Sequence, residues 1–171
     1  MTYIEFLPPN PDDCLLLSVL YKTVYIEVYG KDGITHEFAN FMEQQFSAQK
    51  IASAIASNNH YILVAYFKNN PVGIIQIEYN KPCPINNFTA PEINKLYVLR
   101  NFYGNGVGQN LMQAAERQIA LNGFDKIWLW VLQSNVRANT FYQKQDYKMI
   151  GTADFQMEVN RYTNNVMMKN L

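Results

Sequence analysis

Hydrophobic and polar residues alternate along this chain with two different periods, and each period predicts one kind of element. Short segments that are rich in β-branched and aromatic residues, with alternating or continuous apolar positions, are typical of strands. We predict strands at residues 2–7, 61–67, 72–79, 92–99, 126–131, 148–155 and 166–170. The segment 126–131 has no polar alternation after its first residue, which predicts a strand covered on both faces.

Apolar residues spaced three and four positions apart predict helices between these strands. The first helix begins after Asp12 and Asp13 and ends near Gly30. Further helices are predicted at residues 35–46, after Ser47 with Ile51, Ala52 and Ile55 on the inner side, at 107–122 and at 137–145. Residues 68–71 are interpreted as a hairpin turn and residues 80–91 as a loop, whereas residues 159–165 have no clear pattern.

The alternation of strands and helices predicts the α/β (α+β) class, with a mixed sheet that has helices on both faces. A chain of 171 residues is long enough for one domain with a hydrophobic core. We therefore predict a single domain over residues 1–171.

The most informative stretch is residues 92–122, where an apolar strand runs through glycines into a helix. Gly104, Gly106 and Gly108 precede or open that helix. One face of the helix carries four apolar residues at i, i+4 spacing, namely Val107, Leu111, Ala115 and Ile119. Such a turn presents free backbone N–H groups at the positive end of the helix dipole, and this arrangement predicts a site for phosphate-like anions.

Two common classes of glycine loop do not fit this stretch. A P-loop needs Lys and then Ser or Thr after its last glycine, but Gln109 and Asn110 follow Gly108. The dinucleotide fingerprint G-x-G-x-x-G/A needs Gly or Ala at its last position. If the motif is counted from Gly104 this position holds Gln109, and if it is counted from Gly106 it holds Leu111. This stretch resembles a third class, the pyrophosphate loop of acyl-CoA-dependent N-acetyltransferases.

The chain resembles the GNAT superfamily of N-acetyltransferases. The family's main motif, Arg/Gln-x-x-Gly-x-Gly/Ala, is matched at Tyr103, Gly106 and Gly108. Tyr103 stands where Arg or Gln is usual, which removes one contact to the pyrophosphate, and Arg100 is a candidate replacement. This departure supports one alternative, a non-catalytic acyl-CoA-binding domain.

A second block is similar to the family's N-x-x-A-x-x-F-Y-x-K-x-G-F. Here the matching positions are Asn135, Ala138, Phe141, Tyr142 and Lys144. Asp146 stands where Gly is usual, and Asp tolerates positive φ better than most residues, so a turn is still expected there.

The resemblance implies a mostly antiparallel sheet of about six to seven strands, with acetyl-CoA (coenzyme A) as cofactor. The pantetheine arm is expected to run along the fourth strand like an added strand. The implied cofactor-binding residues are Leu96, Tyr97, Val98, Tyr103, Gly104, Asn105, Gly106, Val107, Gly108, Gln109, Asn135, Phe141 and Lys144.

Two residues are assigned to acetyl transfer by this resemblance. Tyr142 is similar to the family's general acid, and a phenol keeps its proton until a thiolate forms. Glu92 is the candidate general base, because residues 92, 94, 96 and 98 of one strand are expected to share the face turned to the cofactor. A water chain is the alternative to a side-chain base. Burial in a cleft would raise the pKa of such a carboxylate toward a useful range.

The acceptor is predicted to be the primary amine of a small molecule, and the N-terminal half together with residues 126–131 resembles bacterial polyamine acetyltransferases. Glu27, Glu37, Glu43 and Glu158 are the carboxylates available for a polycation, and Arg161 would repel it. A protein N-terminus or lysine is an alternative acceptor.

The composition of the chain limits which other functions and partners are expected. The formal net charge is zero, so nothing indicates nucleic acid. No long apolar run, secretory leader or metal motif is present, and we expect a cytoplasmic protein without a membrane partner. Cys14 and Cys83 are interpreted as reduced thiols, and His36 and His60 as surface and strand-edge residues. Relatives commonly form dimers, so a homodimer is also predicted.

Overall fold

The segments with strand patterns form one seven-stranded sheet in residues 3–171, the part of the chain that the computed structural model describes. The strands are β1 (Glu5–Leu7), β2 (His60–Phe67), β3 (Asn70–Pro82), β4 (Thr89–Val98), β5 (Lys126–Leu132), β6 (Lys148–Gln156) and β7 (Arg161–Asn170). Thr2, predicted to begin the first strand, lies outside the described residues. Residues 159–165, which had no clear pattern, contain the start of β7.

Five α-helices accompany the sheet in residues 3–171. They are α1 (Cys14–Tyr29), α2 (His36–Phe46), α3 (Ala48–Ala56), α4 (Val107–Leu121) and α5 (Val136–Lys144). The side chains of Thr35 and Ser47 cap α2 and α3 by accepting from backbone N–H groups. Asp13 precedes α1 but makes no capping bond, and instead accepts a hydrogen bond from the Tyr66 hydroxyl.

The sheet has the order β1-β2-β3-β4-β5-β7-β6, and every neighbouring pair is antiparallel except β4 and β5. The mixed, mostly antiparallel sheet is therefore confirmed. The parallel pair is short, with Glu92 opposite Trp128 and Ile93 opposite Leu129. β4 continues to Val98 and β5 to Leu132, but the described residues show no further pairing of these two strands with each other. The strands therefore diverge and leave a gap.

Helices cover both faces of the sheet, as predicted. On one face, α4 and α5 pack on residues such as Ile75, Ile77 and Ile93. The four apolar residues predicted for the α4 stripe, Val107, Leu111, Ala115 and Ile119, are all buried there. On the other face, α1, α2 and α3 pack on Ile62, Val64 and Ile74. Ile51 and Ile55 of α3 belong to this second core, but Ala52 is exposed, so its predicted inner position is wrong.

The loop predicted at residues 80–91 is too long. β3 extends to Pro82 and β4 begins at Thr89, and Lys81 and Pro82 pair with Ala90 and Thr89. Asn80 adopts φ 56°, in the left-handed region, where the register between the two strands shifts. Asn and Pro residues predicted a loop from composition, but this bulge lets the strands continue past them.

A second irregularity lies in the middle of β4. Ile93 pairs with Ile77 and Lys95 pairs with Gln76, so Asn94 is an extra residue in the strand. The bulge shifts the alternation of side chains by one position. Leu96 and Val98 pack with Ile93 on the α4 face, and Glu92, next to Ile93, lies on the opposite face. The prediction that residues 92, 94, 96 and 98 share one face is therefore wrong.

Candidate active site

A cleft of about 510 Å³ opens where β4 and β5 diverge. Its walls come from the end of β4, the glycine loop, the start of α4, β5 and α5, with Tyr29 and Val28 of α1 on one side. The cleft brings together these candidate residues: Leu96, Tyr97, Val98, Tyr103, Gly104, Gly106, Val107, Gly108, Gln109, Asn135, Phe141, Tyr142 and Lys144. Asn105 and Glu92 are not among the described residues that line it.

The glycine loop is shaped for backbone donors at the start of α4. Gly104 and Gly106 have φ of 78° and 75°, which L-residues with a Cβ rarely adopt. The first hydrogen bond inside α4 runs from the N–H of Asn110 to the carbonyl of Gly106. The N–H groups of the residues between them have no partner in the helix and belong to the cleft wall.

The edge of β4 faces the cleft because β5 has separated from it. Leu96 and Val98 turn toward α4, and Tyr97 turns toward α1, where its ring meets Tyr21 at 5.4 Å between centroids. A strand edge without a neighbour has backbone donors and acceptors to offer to an extended ligand.

Asn135 is the residue immediately before α5, and its side chain stabilises the start of this helix. Its side-chain oxygen accepts from the N–H of Ala138 at 3.1 Å, which caps the helix. Asn135 also lines the cleft, as does Tyr29 of α1. Asp146, after α5, has φ 67°, which agrees with the turn expected where relatives have Gly.

Tyr142 lies on the inner side of α5, with 9% of its surface exposed. Its ring packs edge-on against Phe141, with 5.4 Å between the ring centroids. Burial raises the pKa of Tyr142 well above that of a free phenol. The hydroxyl therefore stays protonated at neutral pH and can donate a proton or hydrogen bond.

Glu92 is 7% exposed and lies behind the cleft on the α1 side of the sheet. Burial raises the pKa of Glu92 to about 7, and the nearby Lys81, with its Nζ 4.0 Å from the carboxylate, opposes that rise. Lys95, two residues beyond Ile93, lines the cleft itself. Burial lowers the pKa of Lys95 to about 8, against the influence of Glu92.

Arg137 is the contact that sequence reasoning missed. The Cζ of its guanidinium lies 3.2 Å from the ring centroid of Tyr103, and both residues line the cleft. Arg100, the candidate replacement proposed from sequence, is exposed and is not among the described lining residues. The second motif contained the signal, since Arg137 lies between its Asn135 and Ala138.

The carboxylates considered for a polycationic acceptor are mostly engaged elsewhere. Glu37 accepts from the N–H of Val159 at 2.5 Å and of Asn160 at 2.9 Å, and from the Asn160 amide at 2.6 Å. Glu43 pairs with Lys22, and Glu158 accepts from Asn40. One buried oxygen of Glu27 has no hydrogen-bond partner among residues 3–171.

The histidines agree with their interpretation. His36 is exposed at the start of α2. His60 is the first residue of β2, with its Nε2 4.0 Å from Glu78. Neither lines the cleft, as far as residues 3–171 describe it.

Comparison with known proteins identifies the fold and the family. Residues 26–147 match the model of the acetyltransferase (GNAT) family. The chain belongs to the GNAT family. It is an N-acetyltransferase, and acetyl-CoA is its acetyl donor.

Relatives named as N-acetyltransferases match most of the chain. It is 28% identical over 133 residues to an uncharacterized N-acetyltransferase of Mycobacterium tuberculosis (strain H37Rv), covering 78% of this chain and 81% of the relative. An uncharacterized N-acetyltransferase of Lactobacillus delbrueckii subsp. lactis is 21% identical, covering 100% of this chain and 99% of the relative.

A solved N-acetyltransferase structure shows the same fold over nearly the whole chain. The PaiA N-acetyltransferase from Thermoplasma acidophilum, in complex with coenzyme A, superposes with a TM-score of 0.81 at 18% identity. The match covers 99% of each chain.

The residues present suit coenzyme A. The charged side chains that line the cleft are Lys95, Arg137 and Lys144, and the lining contains no carboxylate in the described part of the chain. Free backbone N–H groups at the start of α4 suit a diphosphate, and the open edge of β4 suits an amide-bearing arm.

In residues 3–171 we find no helix that is both long and apolar enough to cross a bilayer.

Proposed function

We propose that this GNAT enzyme transfers acetyl directly from acetyl-CoA to the primary amine of a small molecule, with Tyr142 as general acid. One observation carries this proposal: the Tyr142 side chain belongs to the same cleft as the edge of β4 and the glycine loop. Acetyl-CoA supplies a thioester, whose carbonyl carbon the amine attacks and whose sulfur leaves. Tyr142 donates a proton or a hydrogen bond to that sulfur, in keeping with its raised pKa.

Glu92 remains our candidate for the group that accepts the proton from the amine. Its carboxylate lies behind the cleft lining, so the proton would reach it through a water molecule or a neighbouring side chain. With a pKa of about 7, this carboxylate can take up a proton at neutral pH and release it again. The parallel pairing of Glu92 with Trp128 keeps it at the point where β4 and β5 diverge.

A small acceptor is favoured over a peptide by the connection between α2 and the β6–β7 turn. The family resemblance implies that the N-terminal helices and the last hairpin form the acceptor pocket. Glu37 of α2 joins these two parts through its hydrogen bonds to Val159 and Asn160. A peptide would need an open groove between them.

Polyamines are one subclass of the proposed acceptors. The buried, unpartnered oxygen of Glu27 on α1 supports them, because a carboxylate oxygen can accept from an ammonium group. The engagement of Glu37 and Glu43 opposes them, and so does the cationic lining of the cleft. A test of acceptors should therefore include neutral amines and monoamines as well as spermidine and spermine.

The test measures release of free coenzyme A thiol from acetyl-CoA with a panel of monoamines, polyamines and lysine-containing peptides. We expect turnover with at least one small amine, and a loss of kcat of about 10² or more in Tyr142→Phe, typical of one acid–base group. Turnover with peptides alone would contradict the small-molecule acceptor. Cofactor binding without release on any acceptor would favour a non-catalytic domain, and an unchanged kcat would remove Tyr142 from the mechanism.

A further inference from the structure

We propose that Arg137 binds the diphosphate of coenzyme A, and that Tyr103 is the platform that holds its guanidinium beside the glycine loop. Tyr103 ends a short 3₁₀ turn, and its N–H donates to the carbonyl of Arg100 at 3.1 Å. Arg137 comes from the first turn of α5. The Cζ of Arg137 lies 3.2 Å from the centre of the Tyr103 ring, so the guanidinium is close against the ring.

The charge around Arg137 is unbalanced. No carboxylate lies within 4.0 Å of its guanidinium among residues 3–171, and the cleft lining there contains no acidic side chain. Arg137 is exposed, so its guanidinium is accessible to a ligand that enters the cleft. A cation that is held by a ring at the wall of a cleft, without an anionic partner, is arranged to receive an anion from outside the chain.

The position of the Tyr103 ring indicates which anion Arg137 would bind. Tyr103 is directly followed by Gly104, and Gly106 precedes the free N–H groups of α4. The guanidinium therefore lies beside the same loop that offers backbone donors. Lys144 lines the cleft from the far end of α5, and Lys95 lies beyond the β4 bulge. Of the three cations, Arg137 is the one next to the loop, and its planar fork suits two oxygens of a phosphate group.

Tyr103 therefore has a role despite having no charge. A tyrosine cannot replace the cation that an arginine would bring to this loop position. It can orient a cation that comes from another element, because guanidinium groups stack on aromatic faces. The inference concerns how this enzyme binds its acetyl donor, and it rests on the coenzyme A site described above rather than on any acceptor.

The test compares the affinity of the full-length protein for coenzyme A and for dephospho-coenzyme A by calorimetry. Dephospho-coenzyme A keeps the diphosphate and lacks the 3′-phosphate. For Arg137→Gln we expect Kd to rise about 10- to 100-fold, as for the loss of one hydrogen bond to a charged group. The factor should be the same for both ligands. Arg100→Gln, a neutralised arginine close by in sequence but outside the lining, should leave both values unchanged.

A second variant tests the platform. Tyr103→Leu keeps Arg137 but removes the ring, so we expect a smaller rise in Kd for both ligands. In this background, Arg137→Gln should then raise Kd less than it does in the wild type, because the two residues act together. The unfolding temperature of each variant, measured without ligand, separates a binding effect from a folding effect. If Arg137→Gln does not fold, Arg137→Lys and Tyr103→Leu carry the same comparison.

Two outcomes would overturn the proposal. Unchanged Kd in Arg137→Gln would remove Arg137 from the binding site. A loss seen with coenzyme A but absent with dephospho-coenzyme A would assign Arg137 to the 3′-phosphate. Neither binding measurement needs an acceptor. A failure of the proposed small-amine activity would therefore leave the role of Arg137 unaffected, and a failure of the Arg137 proposal would leave the small-amine activity unaffected.

Discussion

At the scale of single residues, two ionisable groups with shifted pKa values lie close together in the chain, Glu92 behind the cleft and Lys95 in its lining. Glu92 and Lys95 are close in sequence, are largely withdrawn from water, and have pKa values shifted toward each other, to about 7 and about 8. Burial disfavours the charged form of each group. Such shifts are common at catalytic sites, but buried structural pairs have them as well. A measurement of activity against pH distinguishes these roles for Glu92.

We predict that log(kcat/KM) rises with pH through a value near 7, since a general base must be unprotonated to act. Glu92→Gln should lower the plateau and abolish this rising limb. The neighbours provide matched controls with opposite signs. Glu78 raises the pKa of Glu92 and Lys81 lowers it, so Glu78→Gln should move the limb to lower pH and Lys81→Met to higher pH.

Stability gives an independent check on Glu92. Its folded-state pKa is raised, so the folded protein holds the proton more tightly than the unfolded chain between about pH 4.5 and 7. Stability from this group is therefore present below pH 4.5 and declines as the pH rises to 7. Glu92→Gln should unfold at an equal or higher temperature than wild type at pH 8. A rising limb that persists in Glu92→Gln would exclude Glu92 as the base.

At the scale of elements, the start of α4 shows how backbone geometry makes a binding site. Gly106 is the residue before the helix, and its φ of 75° turns the chain so that the next N–H groups point out of the helix end. A β-branched side chain at such a φ costs roughly 1–2 kcal/mol. The added Cβ would lie 3.5 Å from the side-chain nitrogen of Asn110, in the first turn of α4.

We predict that Gly106→Val weakens coenzyme A binding by about tenfold or more, as expected for the loss of hydrogen bonds to a charged group. Gly123→Val is the matched control, because Gly123 follows α4 with φ 87° and lies outside the described lining of the cleft. The unfolding temperature should fall by a similar amount in both variants. Calorimetry should show weaker coenzyme A binding for Gly106→Val alone. Retained affinity in Gly106→Val would contradict the assignment of the loop.

At the scale of the whole molecule, Glu37 connects parts that are far apart in the chain. It is buried on α2, and its three hydrogen bonds attach the turn between β6 and β7 to that helix. Hydrogen bonds from Asn160 and Val159 lower the pKa of Glu37, so the contact should persist at neutral pH. These hydrogen bonds connect the two sides of the proposed acceptor pocket.

We predict that Glu37→Ala releases the turn and exposes it to trypsin, which cleaves after Arg161. Limited proteolysis at neutral pH should show faster cleavage at Arg161 than in the wild type. Glu43→Ala is the control on the same helix, since Glu43 is exposed and pairs with Lys22. Equal cleavage rates in both variants would indicate that Glu37 does not hold the turn.

The homodimer and the cytoplasmic location stay predictions.

Sequence by itself determined the elements and the two motifs, because these depend on residues near one another in the chain. The apolar stripe of α4, the start of α3 after Ser47 and the glycine turn before α4 were all predicted from local spacing and confirmed. Motif order added the family, which the comparison confirmed. The extended β3–β4 hairpin was missed, since a bulge at Asn80 depends on pairing between strands.

Tertiary structure decided how the site is arranged. The bulge at Asn94 moved Glu92 to the other face of β4, and this depends on pairing with β3. The cleft exists because β4 and β5 pair only at Glu92 and Ile93 in the described chain. The stacking of Arg137 on Tyr103 joins two elements that no local pattern connects. Periodicity reports which residues are neighbours along the chain, whereas these features depend on which residues meet after folding.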